Sequence, residues 1–478
     1  MNVNAHARIS RQPATLLILL VTCVAVSGCA TLDDNRVGSL HALVSDRVPG
    51  GIDLPDVDDN GALPKSDLDQ RLAQPLSADA AVQIAILNNP GLRASMATLG
   101  VVQADLLQAG RLVNPVFGFG SVRNSEAYTI ERMVVVNLLA AATMPLRQAL
   151  AGRQLEAARL EVAADVVRLA ADTRKAWVSA VASQESVKYF EQVRTAAEAG
   201  AELASRLAKV GNYNKLAYMR EQAFYSDASA RLARAKLAAL VERERLSRLL
   251  GLQRPHLAFA IPDRLPELPA SPLEPENAEQ TALERRLDVQ LARNSTAAVA
   301  SDLGLTRATR FVNVLEAGYA NESETGERRK NGYEIEISIP LFDWGDAKLK
   351  RAESVYMQSV HRTAQVAIVA QSEVRETYQV YRTAYDLARH YRDEVVPLRK
   401  RIAEENTLRY NGMLIGVFEL LADAREQVAS VNAYLDALRD FWLAQVDFDL
   451  VQSGAGPSAA QAGRRAAAMP AGGAAAGH

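Results

Sequence analysis

Cysteine is almost absent from this sequence: there are two in 478 residues, Cys23 and Cys29, both near the N-terminus. Such a chain has no disulfide framework to brace it. Aromatic residues make up only 6%, a mix that suits close-packed, alanine-rich long helices better than a globular core. Neither sign of charge dominates, with 54 Lys and Arg against 56 Asp and Glu, so nothing argues for nucleic acid as a partner. The histidines, at 6, 41, 256, 361, 390 and 478, show no metal-ligand spacing. The eight methionines are dispersed rather than clustered. There is no G-x-S-x-G and no phosphate loop. The chain therefore reads as a non-enzyme without metal or cofactor. Beyond the N-terminal region no apolar stretch reaches the ~20 residues that a spanning helix needs. If the chain crosses a membrane, it must do so as strands in a closed barrel, because open sheet edges cannot sit in lipid.

What is present begins with an address. His6, Arg8 and Arg11 precede the apolar run Ala14 to Val26, which is too short to span a bilayer. The run ends in Val26-Ser27-Gly28-Cys29, small residues before a cysteine that look like a bacterial lipobox. Residues 1–28 then form a lipoprotein signal peptide, and Cys29 carries the lipid attachment. Ala30, rather than Asp, follows the cysteine, which by the usual sorting pattern implies the outer membrane. Residues 29–75 show no helical period and read as an extended arm. Asp56 to Asp67 fits the spacing of a calcium loop, but Pro55 and Pro64 deny it flanking helices, and a solvated acidic turn is the simpler reading.

The most informative stretch is Tyr333–Arg351, YEIEISIPLFDWGDAKLKR. Tyr333, Ile335, Ile337 and Ile339 alternate with Glu334, Glu336 and Ser338, the period of a strand with one greasy and one acidic face. Pro340 has no N–H to donate and should end the ladder. Asp343-Trp344-Gly345-Asp346 supplies a turn with N-cap carboxylates, and from Ala347 a helical pattern runs to about Arg409. The string resembles the strand-to-helix signature of TolC-like outer-membrane efflux channels, with Pro145, Pro340, Phe342, Trp344 and Gly345 at the strand-to-helix junctions. AVQIAILNNPGLRAS, residues 81–95, resembles the same family's opening motif.

The chain is written twice. Residues 76–253 read as helix, strands 113–122 and 130–144, a long helix from Pro145 to about Lys209, a break at Gly211–Asn214, and a return helix. Residues 278–452 repeat that order, with strands 311–320 and 333–342 and a break at Asn411-Gly412. Leu92 to Val289 is 197 residues, Pro145 to Pro340 is 195, and Gly211 to Gly412 is 201, a near-constant period. A proline-rich linker, 254–277, joins the repeats, and 453–478 reads as a disordered Ala/Gly tail.

The resemblance covers residues 76–452. It implies an α+β membrane protein: a trimeric 12-stranded β-barrel continuous with a long α-helical barrel, each chain an internal tandem repeat. Glu334 and Glu336 would face the lumen. It further implies a passive duct, a homotrimer held in outer-membrane lipid with its helical barrel in the periplasm, joined to a periplasmic membrane-fusion adaptor and an inner-membrane efflux pump. Gly211, Tyr213, Gly412, Phe418, Glu419 and Leu421 would mark the periplasmic tip. Several family members carry an acidic ring just past the second turn. Here those positions are Phe418 and Leu421, with Glu419 and Asp423 out of register. Phe418 either narrows the axis as an apolar neck or packs as core between helices. The alternative class is a periplasmic coiled-coil lipoprotein acting as a scaffold or adaptor.

Overall fold

Long helices follow directly from strands in this chain, and the residues at the joins explain why. A computed structural model describes residues 36–48, 50–54, 64–123, 127–211, 214–312, 314–454 and 456, without the side chains of residues 36, 37, 65, 417 and 418. The chain divides into two units, 1–36 and 37–478, and apart from Arg36 every described residue lies in the second.

The helices that open the chain are α1 (Arg36–Val44), α2 (Lys65–Leu72), α3 (Ala78–Asn88) and α4 (Pro90–Ala109). Ser77 caps α3, its hydroxyl accepting from the Ala80 N–H at 3.2 Å. Asn89 ends α3 and caps α4, accepting from the Leu92 N–H at 3.1 Å, with Pro90 in the first helical position. The hairpin β1 (Val116–Arg123) and β2 (Tyr128–Asn137) leads into α5 (Leu138–Lys209), which returns as α6 (Lys215–Leu249). The second half runs α7 (Ala278–Arg285), α8 (Leu287–Thr309), β3 (Leu315–Glu324), β4 (Lys330–Ile337), α9 (Asp346–His390), a π-helical turn (Tyr391–Val395), α10 (Val396–Asn411) and α11 (Val417–Ser453). At 72 residues, α5 alone is about 108 Å long.

Several expectations are corrected. The second strand stops at Asn137, not Met144, and Pro145 lies inside α5 instead of ending a strand. Leu138, Leu139 and the three alanines after them are strong helix formers, and Asn137 caps the helix by accepting from the Ala140 N–H at 2.7 Å. Their apolar character mimics a strand; their propensity decides for helix. The fourth strand ends at Ile337, short of Phe342. Residues 29–75 are not extended throughout, since α1 and α2 form there. Leu40 and Val44, one helical turn apart, are fully buried, and that anchoring stabilises a helix too short to persist alone. The tail does not leave the fold at 453. The Gly454 carbonyl accepts from the Leu287 N–H at 2.9 Å, and Gly456 is buried against Glu373. The helix read from Ala347 to Arg409 is interrupted by the π-helical turn just before Pro397. Proline cannot accept a regular α-helical neighbourhood four residues back, so the turn widens there.

The main core lies where the long helices meet the linker. Trp177 of α5, Leu246 of α6, Tyr381 and Tyr385 of α9, and Phe441 and Phe448 of α11 pack with Phe259, Ile261, Leu265 and Leu268 of the linker. A proline-rich strap offers many carbonyls and few N–H groups, and the helices supply the missing donors. Tyr385 donates to the carbonyls of Pro269 and Ala270 at 3.1 and 2.9 Å, Trp442 to Pro266 at 3.1 Å, and Arg392 to Leu268 at 3.3 Å.

Candidate functional site: a one-sided sheet and two helix turns

The four strands form one antiparallel sheet in the order β1-β2-β3-β4, joining the hairpin of the first half to that of the second through β2 and β3. Direct cross-strand partners share a face, so register sorts the side chains. Phe117, Val134, Tyr319 and Tyr333 form one row across all four strands. The Tyr319 and Tyr333 rings meet edge-on at 5.8 Å. Val136, Ala317 and Ile335 form the next row, and Leu315 with Ile337 the one beyond. These apolar side chains are largely open, with Tyr333 89% exposed.

The opposite face carries Glu316 opposite Glu336, and Glu334 opposite Gly318, with Glu131 opposite Glu322 further along. Asn137 donates to Glu316 at 3.0 Å, tying the end of β2 to this row. Glu334 and Glu336 thus share a face, the one away from Tyr333, Ile335 and Ile337. The run Met133 to Val136, apolar in succession, also resolves by register. Val134 and Val136 join the greasy face, whereas Met133 and Val135 lie over Gly118 and Gly318 on the other. There a side chain on the glycine would meet Met133 Cβ at 3.7 Å and Val135 Cγ2 at 3.4 Å. Glycines opposite larger apolar residues hide this alternation from sequence.

The second strand-to-helix junction leaves its large side chains uncovered. Phe342 is 99% exposed, and Ile339, Leu341 and Trp344 are also exposed. No carboxylate caps α9; Gly345 is its N-cap, at φ 72°. Asp343 instead accepts from the Gly345 N–H at 2.8 Å. A Cβ at Gly345 would lie 2.8 Å from the Arg310 carbonyl oxygen, so both the left-handed backbone and the close approach require glycine. Pro340 follows the end of β4, whereas Pro145 has no such place.

At the other end of the helices, Gly211 takes a left-handed φ of 75° in the first turn. Gly412 does not take the corresponding role in the second. It is the C-cap of α10 at φ −78°, and Met413 adopts the left-handed conformation at φ 60°. The Leu414 N–H then reaches back to the Arg409 carbonyl at 2.9 Å, a Schellman closure with methionine where glycine is usual. No sequence signal marks Met413 for this. Glu419 is exposed in the first turn of α11, and Leu421 is half-buried. Tyr213, the Phe418 side chain, and Cys29 with its lipobox lie outside the described residues, as does most of the calcium-like stretch.

Among the described residues no three His, Cys, Asp or Glu side chains are grouped as a metal site would need. No helix among them is long and apolar enough to cross a membrane. The groups that depart most from ordinary titration lie in the helical region. Burial raises the Asp449 carboxyl to about 6, against the attraction of Arg174, and raises the Tyr189 phenol to about 12.

No protein-family model matches the chain, and no curated protein matches it. Solved structures do. The outer-membrane channel OprN aligns with a TM-score of 0.66 at 18% identity, over 90% of this chain and 97% of that one. The outer membrane protein VceC of Vibrio cholerae aligns at 0.66 and 15% identity, over 79% and 96%. The CmeC outer membrane channel of Campylobacter jejuni aligns at 0.63 and 15%, over 85% and 92%. The chain has the fold of these outer-membrane channels, and at the level of fold the resemblance read from its sequence is met.

Proposed function

We propose that a chain with this fold is the outer-membrane channel of a tripartite efflux or secretion system, a passive duct built from three copies. The observation that carries the reading is the sheet: one greasy face open to the surroundings, one acidic face, and a direct join to very long helices. Its outer strands, β1 and β4, have no second partner among the described residues, and open edges are not tolerated in lipid. Four strands are too few to close, since the smallest membrane barrels have about eight. Joining β4 of one copy to β1 of the next closes a ring, and three copies give the 12-stranded barrel. The greasy face then meets lipid, Phe342 and Trp344 sit at the membrane boundary where aromatic residues concentrate, and Glu334 and Glu336 face the lumen. The near-200-residue internal period supports a tandem repeat as the source of the two hairpins.

In this reading Cys29 carries the lipid anchor in the outer membrane, and the helices extend into the periplasm. The turns at 211–216 and 412–420 meet an adaptor, which connects the duct to an inner-membrane pump. Phe418, Glu419 and Leu421 then flank the narrow end. The substrate is chosen by the pump, not by the wall of the duct. The deciding experiment is the oligomeric state in detergent together with conductance in a planar bilayer. A trimer that conducts ions is expected. A monomer or dimer without conductance would overturn the channel and favour a coiled-coil scaffold, which the open greasy sheet argues against.

A further inference from the structure

The segment from Leu40 to Leu54 touches both halves of the chain, and nothing in the export reading uses it. Leu40, Val44, Val48 and Ile52, spaced four apart, are buried in a cluster with Val82 and Ile86 of α3, Leu92 and Met96 of α4, Val162 and Val166 of α5, and Leu287 of α8. The segment is pinned at its middle and near its C-terminal end, each time by a reciprocal pair of hydrogen bonds. Asp53 and Gln83 exchange two, at 3.1 and 3.0 Å, which ties the segment to the first half. Arg47 donates to the Arg285 carbonyl at 3.1 Å, and Arg285 to the Asp46 carbonyl at 3.3 Å, which ties it to the second.

Beneath Arg47 and Val48 lies a cavity of about 30 Å³, room for one water, walled by Val167, Ala170, Ala171 and Arg174 of α5 and by Val446, Asp449 and Leu450 of α11. Asp449 also borders a larger apolar cleft, shared with Asp79, Trp177, Arg264 and Trp442. The segment therefore helps to roof a half-buried carboxylate with apolar walls. We propose that this segment is an acid-tightened clamp across the two halves of the chain, its docking coupled to protonation of Asp449.

The coupling follows from linkage. Releasing the clamp removes Arg47 and Val48 from the wall of the small cavity and hydrates the carboxylate further, so the released state favours the charged form. Burial holds the docked carboxyl at about 6, against an ordinary 3.8. The docked state thus binds the proton more tightly. Docking strengthens as pH falls through 6, gains nothing further once pH is well below 3.8, and loses the increment as pH rises above 6. Arg174 opposes the shift while itself bound to Asp79. The other charged or titratable groups facing the site are Arg47 from the clamp, Arg264 from the linker and Tyr381 from α9. His41 lies on the clamp but lines neither the cavity nor the cleft beside Asp449, its ring nitrogen 3.2 Å from the Ile52 carbonyl.

Hydrogen exchange on the full-length protein in detergent tests the clamp, comparing amides 40–48 and 50–52 with the interior of α6 near pH 7.5 and pH 5 after correction for intrinsic rates. Relative protection of the clamp should rise about 10-fold in acid if release restores an ordinary carboxyl. Asp449→Asn, a neutral near-isostere, should abolish the rise and give at pH 7.5 at least the protection that the unaltered protein reaches at pH 5. His41→Gln should retain the rise. Unchanged protection between the two pH values in the unaltered protein would overturn the proposal. So would an undiminished rise in Asp449→Asn, or its loss in His41→Gln, because the titration would then belong to another group.

Discussion

The two halves of the chain meet the same structural demand with different chemistry. In the first, the break between α3 and α4 is stitched to the end of α6 by neutral amides. Asn88 donates to the carbonyls of Leu250 and Gly251 at 2.9 and 3.0 Å, and Asn89 to Leu249 at 2.9 Å. In the second, the break between α7 and α8 is held by charge. Arg286, 1% exposed, grips Asp288 through two hydrogen bonds at 3.0 and 2.6 Å and reaches Glu373 of α9 at 2.8 Å. The amide stitch satisfies helix-end carbonyls that would otherwise be orphaned. The ion cluster carries a desolvation penalty and is sensitive to the loss of any one member. The halves differ again at the far turns, where glycine supplies the left-handed residue in one and Met413 in the other.

The largest effect should come from the charged junction. Arg286→Met removes the cation that Asp288 and Glu373 share and should destabilise the protein by roughly 3–5 kcal/mol. Adding Asp288→Asn and Glu373→Gln should recover much of that, because the buried negative charges go with it. Denaturant unfolding in detergent measures both, and a loss under about 1 kcal/mol for Arg286→Met would remove the contrast between the halves. Next in size is the second hairpin. Ile337→Lys should cost roughly 2–4 kcal/mol if that face meets lipid near the midplane, while Ser338→Lys costs little. Heat-resistant oligomer on gels reads the difference, and equal tolerance would argue against a membrane-crossing strand. Asn88→Ala should follow at roughly 1–3 kcal/mol, through one buried and one part-buried carbonyl left without this donor; a loss comparable to that of Arg286→Met would mean that the two junctions do not differ in kind. The smallest effect is a gain. Met413→Gly should raise stability by about 1 kcal/mol by relieving the left-handed strain, and Gly211→Met should lower it similarly. A thermal melt that moves the wrong way for Met413→Gly would show that its side chain contributes more than the strain removes.

Much of this architecture was legible in advance, and where it was not, the cause is physical. The faces of Glu334 and Glu336 and the turn at Gly211 follow from local chemistry: a period of two and a residue without a Cβ. The end of β2 was misplaced because Leu138 to Met144 is apolar in both readings, and only propensity with the Asn137 cap separates them. The clamp was read as extended because its buried residues find their partners far along the chain, Val44 and Val48 in a cluster that includes Leu287. Sequence by itself determined most of the long helices, the strands and their order along the chain, since helix, strand and turn preferences act over a few neighbouring residues. Tertiary structure alone decided that Met133 and Val135 cover glycines, that Arg286 pairs with Glu373 some 87 positions away, and that Asp449 lies under residues 47 and 48. Those outcomes depend on which surfaces meet, and burial takes its meaning only from the groups on the other side.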